Sequence, residues 1–510
     1  MVKSKLDLGL YIIRKDFKMM DRTKILVLGG TGAIGKYLCQ SLLKRGYEVF
    51  VTSRSKHTDH GKLHYICGNA KDVKFLEEIF KTSDFDVIFD FMMYTGNQFK
   101  ERYQLFLNNC KQYFFSSSQR VYADSDSDGW LREDSKRKID CISENKYWEK
   151  DVYGCRKGKE ENILFSAKEK NWTIVRMSMT FSNSRFQFGP LDNFDVVRAS
   201  RGQCSALPDT LAGKETTLTY GKVTAELLSS LVLKEDAISN VFNVGSRYPH
   251  TWEEIAQTYN KVLGLTYKTI PEDKYLFATN SQSMMVDRRL NRKLDCSRIY
   301  SFYENKSVKY EKLEDGLKDA WKEADHEKFS NGVAKLDAHA LIDVYTDTIT
   351  NPGSLNPVIR KKYSVMYNRM KNLVENNASL HDISFAAEHP FYWQIEKHGE
   401  LVRLKRSEQD LNEKYNRWLS FMPKFELKGD KKYLFSMEFN CSCKTTMLIF
   451  SHGYEYNSEN LLRYPVSTGK NIISFSFTLS KTSRFLAITA SDFPKKDTII
   501  DISNIEIKEI

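Results

Sequence analysis

Nowhere does the 510-residue chain offer the run of about 18 apolar residues that a membrane-spanning helix needs. Nor does the stretch Met1–Met20, with its lysines and short apolar patch at Leu8–Ile13, carry a sustained apolar core followed by small residues, so it does not read as a secretory signal. Residues 1–21 are expected to be an extension, with Met19 or Met20 a candidate true start. Cysteine is sparse and scattered: nine residues, Cys39, Cys67, Cys110 and Cys155 among them, form no disulfide framework. Cys441 and Cys443 make a C-x-C pair, but no second pair or His cluster completes a zinc ligand set, and no metal is expected. Reduced thiols and a cytoplasmic location follow. The net charge of +11 comes without a basic stripe, because acids interrupt the cations, as in Lys157-Gly158-Lys159-Glu160-Glu161. That pattern argues against nucleic acid and suits phosphate-bearing small molecules.

What remains is a globular composition, 41% hydrophobic and 28% charged, on a chain long enough for two or three domains. Ile25–Leu28 is a continuous apolar run, as a buried parallel strand requires. A helical pattern follows from Ile34 to Arg45, with Gly46 as its cap, and then a strand over Tyr47–Thr52. Further strands are predicted at Leu63–Cys67, Val87–Phe91, Tyr113–Ser116 and Thr173–Arg176, with helical stretches between them. This alternation predicts an α/β fold with a doubly wound parallel sheet over residues 22–345. Looser, loop-rich sequence over about 180–290 is expected to form a small substrate lobe, and Leu313–Lys328 a polar helix. Asn351-Pro352-Gly353 reads as a break between halves. Five short β-branched and aromatic segments follow: Tyr433–Asn440, Thr446–Phe450, Asn471–Thr478, Arg484–Ala490 and Thr498–Ile507. With no helices between them, they predict a C-terminal antiparallel β-sandwich within 350–510, behind a leading helical segment.

Gly29-Gly30-Thr31-Gly32-Ala33-Ile34-Gly35 links the first strand to the first helix in a G-x-x-G-x-x-G spacing. Such a loop turns tightly, lets backbone approach a pyrophosphate, and aims free helix N–H groups at it, with Thr31, Ala33 and Ile34 alongside the glycines. At the end of the second strand an acid would hold the ribose hydroxyls of NAD, whereas an arginine accommodates the extra phosphate of NADP. Here Ser53-Arg54 occupies that place and no acid occurs before Asp59, which favours NADP. Tyr153 and Lys157 form a Y-x-x-x-K that, on a helix, puts ammonium beside phenol and favours the phenolate needed for proton transfer. They follow a strand ending in Ser116-Ser117-Ser118, with Gln119-Arg120-Val121-Tyr122 next.

Over about residues 22–320 these three ordered motifs resemble the extended short-chain dehydrogenase/reductase family of nucleotide-sugar epimerases, dehydratases and reductases. The resemblance implies Tyr153 as acid/base, Lys157 as ribose anchor, and Ser118, four residues before Tyr122, as the hydroxyl that positions the reacting oxygen. It also maps adenine contacts onto Asn69-Ala70 and nicotinamide-side packing onto Phe91, Met92 and Met177. Phe188-Gly189-Pro190 echoes the family's Y-G-P, while Asn69 and the bulky Met92-Met93-Tyr94 depart from its pattern. Gln119-Arg120 stands where the dehydratases carry an acidic pair, which disfavours elimination of water. The expectation is an NAD(P)-dependent epimerase or reductase of a nucleotide-activated sugar, and a homodimer. Alternatives are an NADP-dependent reductase of a non-sugar carbonyl and a non-catalytic dinucleotide-binding scaffold.

Among smaller features, Asp124–Gly129 starts like a calcium loop but lacks the closing glutamate, Ser135 standing at position twelve. His250, His389 and His452 suggest no triad, and Trp252 reads as core. The terminal strand Ile500–Ile507 looks like that of jelly-roll modules that bind carbohydrate. Tyr454 and Tyr456 are candidates to stack on sugar rings, although packing on the enzyme or oligomerisation is the preferred role of this domain.

Overall fold

The computed structural model describes residues 23–124, 129–189, 193–279, 281–303, 307–331, 335–348, 350, 355, 357–375, 383–387, 393–398, 401–406, 419–423, 427–453, 458–480, 483–490 and 498–510. The N-terminal extension, Ser125–Asp128 of the acidic loop, Pro190, the 351–353 break, His389, Tyr454 and Tyr456 lie outside the described residues. The chain divides into two compact units, one of residues 1–271 and 283–332, the other of 272–282 and 333–510. Unit two therefore takes in the short stretch 272–282 and begins ahead of the 345–350 region where the sequence suggests a boundary.

Seven parallel strands build the first unit: β1 (Lys24–Leu28), β2 (Glu48–Ser53), β3 (Leu63–Cys67), β4 (Val87–Asp90), β5 (Gln112–Ser118), β6 (Trp172–Met177) and β7 (Asn240–Val244). Their order across the sheet is β7-β6-β5-β4-β1-β2-β3, so the direction of winding reverses between β1 and β4. A dinucleotide fold opens its ligand crevice at such a switch point, along the carboxyl edge of the strands. The central strands are buried on both faces, which is why they read as unbroken apolar runs: Ile25–Leu28, Val87–Phe89 and Tyr113–Phe115 are almost wholly removed from solvent. Helix α1 (Gly35–Lys44) follows β1, α2 (Val73–Thr82) follows β3, and α3 (Val152–Ser166) precedes β6. Apolar clusters lie on both faces of the sheet, one around Leu38, Leu42, Val49 and Phe114, the other around Leu26, Ile88, Tyr113 and Ile174.

Past β6 the elements shorten, as the loose sequence implies. Two-stranded pairs join Met179–Phe181 to Leu218–Tyr220, Ser205–Pro208 to Tyr267–Ile270, and Glu215–Thr216 to His250–Thr251. Trp252 is buried at the start of its helix. The polar helix expected over 313–328 is two pieces, Leu313–Lys322 and His326–Asn331.

In the second unit helices α4 (Leu336–Tyr345) and α5 (Pro357–Glu375) precede ten antiparallel strands among the described residues. One sheet has the order Ile383–Ala387, Leu419–Pro423, Ser483–Ala490, Thr445–Gly453, Ser458–Val466. The other runs Trp393–His398, Leu401–Arg406, Ile499–Glu509, Lys432–Cys441, Gly469–Thr478. All five expected strands are present, with five more beside them, of which Trp393–His398 and Leu401–Arg406 escape notice because charged residues break their alternation. Leu404, Tyr433, Phe435 and Ile473 of one sheet share an apolar core with Met447, Ile449 and Leu486 of the other. Among the described residues no helix is long and apolar enough to cross a membrane.

Candidate functional site

The glycine loop starts where β1 ends. Gly29 adopts φ +76°, a conformation closed to most side chains, and its N–H donates to the Thr52 hydroxyl of β2 at 3.2 Å. A Cβ on Gly35 would stand 2.6 Å from the Gly30 Cα and 2.8 Å from the Gly29 oxygen, so only glycine lets α1 start this close to the strand. The first turn of α1 carries no acid, and no side chain caps it. A helix N-terminus left this way presents N–H groups and a positive dipole end to an anion, so the residues present fit a pyrophosphate.

The other sequence-predicted cofactor residues stand on the same strand edge. Ser53 and Arg54 end β2, Arg54 exposed and the Ser53 hydroxyl held by the Ser55 N–H and the His57 ring. Asp59 is turned away to His64 and to the Tyr65 N–H. Asn69 and Ala70 follow β3, the former exposed and the latter buried. Phe91 and Met92 follow β4, and a Cβ on Gly29 would meet the Met92 sulfur at 3.3 Å.

Beyond the loop lies a cavity of about 580 Å³ whose wall includes Ile34, Ser117, Ser118, Gln119, Arg120, Tyr153, Met177, Arg185, Gln187, Asp287 and Arg288. Ser118 comes from the end of β5, Tyr153 from the first turn of α3 and Met177 from the end of β6. The fold thus gathers Ser118, Tyr153, Met177 and Ile34 around one space. Lys157 stands one turn after Tyr153 but is buried, paired with Glu160 at 3.1 Å and lying over the Phe115 ring at 4.5 Å. Instead, the cations over the Tyr153 ring are the guanidinium groups of Arg120 and Arg156, at 5.2 and 5.4 Å.

Buried charges that sequence reasoning missed hold these groups in place. Glu161, fully buried on α3, accepts from the Ser117 hydroxyl at 2.6 Å, from two nitrogens of Arg176 at 3.0 and 2.8 Å, and from Arg137 at 3.2 Å. This engagement of Ser117 leaves Ser118 as the serine hydroxyl that accepts only a local bond, from the Arg120 N–H at 3.3 Å. Asp151 caps α3 through the Gly154 N–H at 2.9 Å and takes Arg120 bidentately at 2.7 and 3.1 Å. Buried Lys138 joins Asp151, at 2.6 Å, to Asp287, at 3.1 Å, and Asp287 in turn meets Arg292 at 2.9 Å. Burial raises the Asp287 carboxyl, but Arg292, Lys138, Arg120 and Arg288 overrule it and hold the group well below the usual carboxylate range. Gln119 and Asp287 each present a buried oxygen, Oε1 and Oδ2, with no hydrogen-bond partner among the described residues. At the end of β4, burial pushes the Asp90 carboxyl up to about 6, although the Met92 N–H, the Tyr113 and Tyr94 hydroxyls and the Lys157 charge all oppose the shift. Asp90 closes the run Val87-Ile88-Phe89-Asp90, an acid at a strand end that was there to be noticed. Asp287 had no local signal, because it meets Lys138 across 149 residues of chain.

Residues 25–190 match the model of the NAD dependent epimerase/dehydratase family. A curated relative, the chloroplast stem-loop binding protein of 41 kDa b of Arabidopsis thaliana, is 25% identical over 259 residues, covering 47% of this chain and 63% of that one. The chain therefore spans less than two thirds of that relative's length. Among solved structures, an epimerase of Methanothermobacter thermautotrophicus aligns with a TM-score of 0.46 at 16% identity, over 61% of this chain and 94% of that one. A human epimerase family protein solved with NADPH aligns at 0.45 and 16%, over 59% of this chain and 99% of that one. Among the described residues no group of acids, histidines and cysteines is placed to hold a metal ion.

Replacing Glu161 by Gln strips the buried Arg176 guanidinium of its carboxylate and leaves half-buried Arg137 with Asp140 alone. Unfolding free energy of the first unit should fall by about 3–5 kcal/mol, measured by denaturant titration. A loss under about 1 kcal/mol would mean that the pairs are not dry. Asp90 sets a pH dependence. Its folded value of about 6 lies above the ordinary 3.8, so its contribution is fully present below pH 4 and is lost as pH rises through 6. Such a rise corresponds to about 3 kcal/mol at most. Asp90→Asn should flatten the stability profile between pH 4 and 7, followed by thermal melts. A profile as steep as the parent's would show that other groups cause it.

Proposed function

We propose that this protein is an NAD(P)-dependent epimerase or reductase acting on a nucleotide-activated sugar through Ser118, Tyr153 and Lys157. The observation that carries the reading is the shared cavity: Ser118 and Tyr153, from different elements, face one space that Ile34 of the glycine loop and Met177 also line. The match of residues 25–190 to the epimerase/dehydratase family model agrees with it.

When bound, the dinucleotide would supply hydride exchange with a substrate carbon. Gly29, Thr31, Gly32, Ala33, Ile34 and Gly35 would hold its pyrophosphate, Ser53 and Arg54 its adenosine ribose, and Asn69 and Ala70 its adenine. Phe91, Met92 and Met177 would pack on the nicotinamide side, with Lys157 at the neighbouring ribose. Arg54, exposed at the end of β2, supports a preference for NADP, and the engagement of Asp59 by His64 and Tyr65 agrees with that preference. Tyr153 passes the proton at the reacting oxygen while Ser118 orients that oxygen. The partnerless oxygens of Gln119 and Asp287 suit a substrate rich in hydroxyl donors, since each buried acceptor gains a bond there. Gln119-Arg120, in place of an acidic pair, disfavours loss of water. The site is taken to work in the cytoplasm and in a homodimer. The second unit is read as a jelly-roll-like β-sandwich that packs on the enzyme or mediates oligomerisation, with sugar binding its other candidate role.

A second reading, binding of a folded nucleic acid, draws on the name of the Arabidopsis relative and on the net charge of +11. It predicts capture of a stem-loop RNA that weakens steeply with salt.

Tyr153→Phe separates the readings. It should lower turnover of a nucleotide hexose, followed by dinucleotide absorbance and sugar analysis, by about 10²–10⁴-fold. Dinucleotide affinity should stay as in the parent. Unchanged turnover would contradict the assignment of Tyr153, and a parent protein that binds dinucleotide but turns over no carbonyl would favour the scaffold.

A further inference from the structure

Its place on α3 gives Arg156 two neighbours, one in each direction along the helix. Tyr153 stands three residues before it and Glu160 four residues after, the spacings that bring side chains together on a helix surface. Both contacts are made. The Arg156 guanidinium lies over the Tyr153 ring, 5.4 Å from its centre, and the Arg156 Nε is 4.0 Å from a Glu160 oxygen. Glu160 is fully buried, so that end of the arrangement is fixed by the interior. The arginine is held between a buried acid and the phenol that lines the cavity.

What the contact can do depends on how far the charge of Arg156 is engaged elsewhere. Glu160 stands nearer to Lys157, at 3.1 Å, than to Arg156, at 4.0 Å. Among the described residues neither Glu160 oxygen accepts a hydrogen bond and the Arg156 Nε donates none, so this acid acts on the two cations by charge alone. Burial raises the Glu160 carboxyl although Lys157 and Arg156 oppose the shift, which makes it a weak counter-charge for either. Arg120 also lies over the Tyr153 ring, at 5.2 Å, but Asp151 grips it through two bonds. No carboxylate grips Arg156 in that way among the described residues. A cation over an aromatic face is attracted to the ring, and far more strongly once the phenol carries a full negative charge.

We propose that Arg156 is a positioning residue of this site, a cation that Glu160 keeps over the Tyr153 ring to meet the negative charge left when the phenol gives up its proton. The inference rests on the reading of Tyr153 as the acid/base and adds a residue that the Ser-Tyr-Lys set does not contain. In the direction of reduction, the Tyr153 hydroxyl passes its proton to the substrate oxygen as the substrate carbon takes up hydride. The electron pair of the broken O–H bond stays on the phenol oxygen until a proton from solvent replaces the one given up. Arg156 stabilises that interval.

Phenolate absorbance in the ultraviolet tests the contact without a substrate. Subtracting the spectrum of Tyr153→Phe from that of the full-chain parent at about pH 9.5 isolates the ionised form of this one phenol. The same subtraction in an Arg156→Gln background should give a signal at least about threefold smaller, and an Arg156→Lys background should restore part of it. Arg185, Asp287 and Arg288, across the cavity, stand in all of these proteins and cancel in the comparison. Far-ultraviolet dichroism equal to the parent's certifies that each variant is folded. With uridine diphosphate glucose as the probe, Arg156→Gln should also lower turnover by about threefold or more at unchanged dinucleotide affinity. No Tyr153 signal in the parent, equal signals with and without Arg156, or an Arg156→Lys no better than Arg156→Gln would overturn the proposal and leave Arg156 as a brace of α3. A parent that binds dinucleotide yet turns over no nucleotide hexose would overturn the reading beneath it instead, while the absorbance comparison still decides the contact.

Discussion

Glu161 is the carboxylate on which the arrangement of the first unit depends. It lies in the dry space between α3 and the sheet, and it joins Ser117 of β5 to Arg176 of β6. Arg176 carries the connection on to the Tyr122 hydroxyl at 3.1 Å, and Tyr122 to Asn243 of β7 at 2.6 Å. Three strands and one helix are registered by a single buried acid. A helix resting on a sheet through apolar contacts alone has freedom to slide by fractions of a turn, because those contacts have no direction. Hydrogen bonds to a buried carboxylate remove that freedom. The position of Tyr153 relative to Ser118 follows, since one is carried by α3 and the other stands next to Ser117.

With that geometry fixed, the chemistry of the site is divided along the carboxyl edge of the sheet. At β1 the glycine loop and the uncapped start of α1 form a place for negative charge that uses backbone only. At β5 and α3 the charged groups are side chains instead, Arg120 being held by an Asp151 that Lys138 shares. Between them lies a polar and sulfur-lined space reached by Ser118, Tyr153 and Met177.

Much of this was legible in the chain. Unbroken apolar runs marked the strands because a parallel sheet is covered on both faces, and Gly29, Gly32 and Gly35 marked the loop because a strand preceded them and a helix followed. Ser118 and Tyr153 could be paired because both sit at element ends whose order the fold dictates. Spacing placed Lys157 one helical turn after Tyr153 but did not record its partners there, Glu160 and the Phe115 ring. The partners of Arg120 were out of reach for a different reason. Asp151 stands 31 residues further along the chain, Lys138 starts a short 3-10 turn and Asp287 lies on the distant helix Gln282–Arg288, and no periodicity records such a meeting. In the second unit, strands with clean alternation could be read, while Trp393–His398 and Leu401–Arg406 carry too many charged residues in sequence to stand out.

The central claim is that one dinucleotide runs from the Gly29–Gly35 loop to the cavity at Ser118 and Tyr153. The most direct measurement is a crystal structure of the full chain grown with NADPH. The account predicts density for the pyrophosphate at the start of α1 and for the nicotinamide beside Tyr153 and Met177. Stoichiometric NADPH found elsewhere on the molecule, or a loop that stays without nucleotide at saturating concentration, would contradict it.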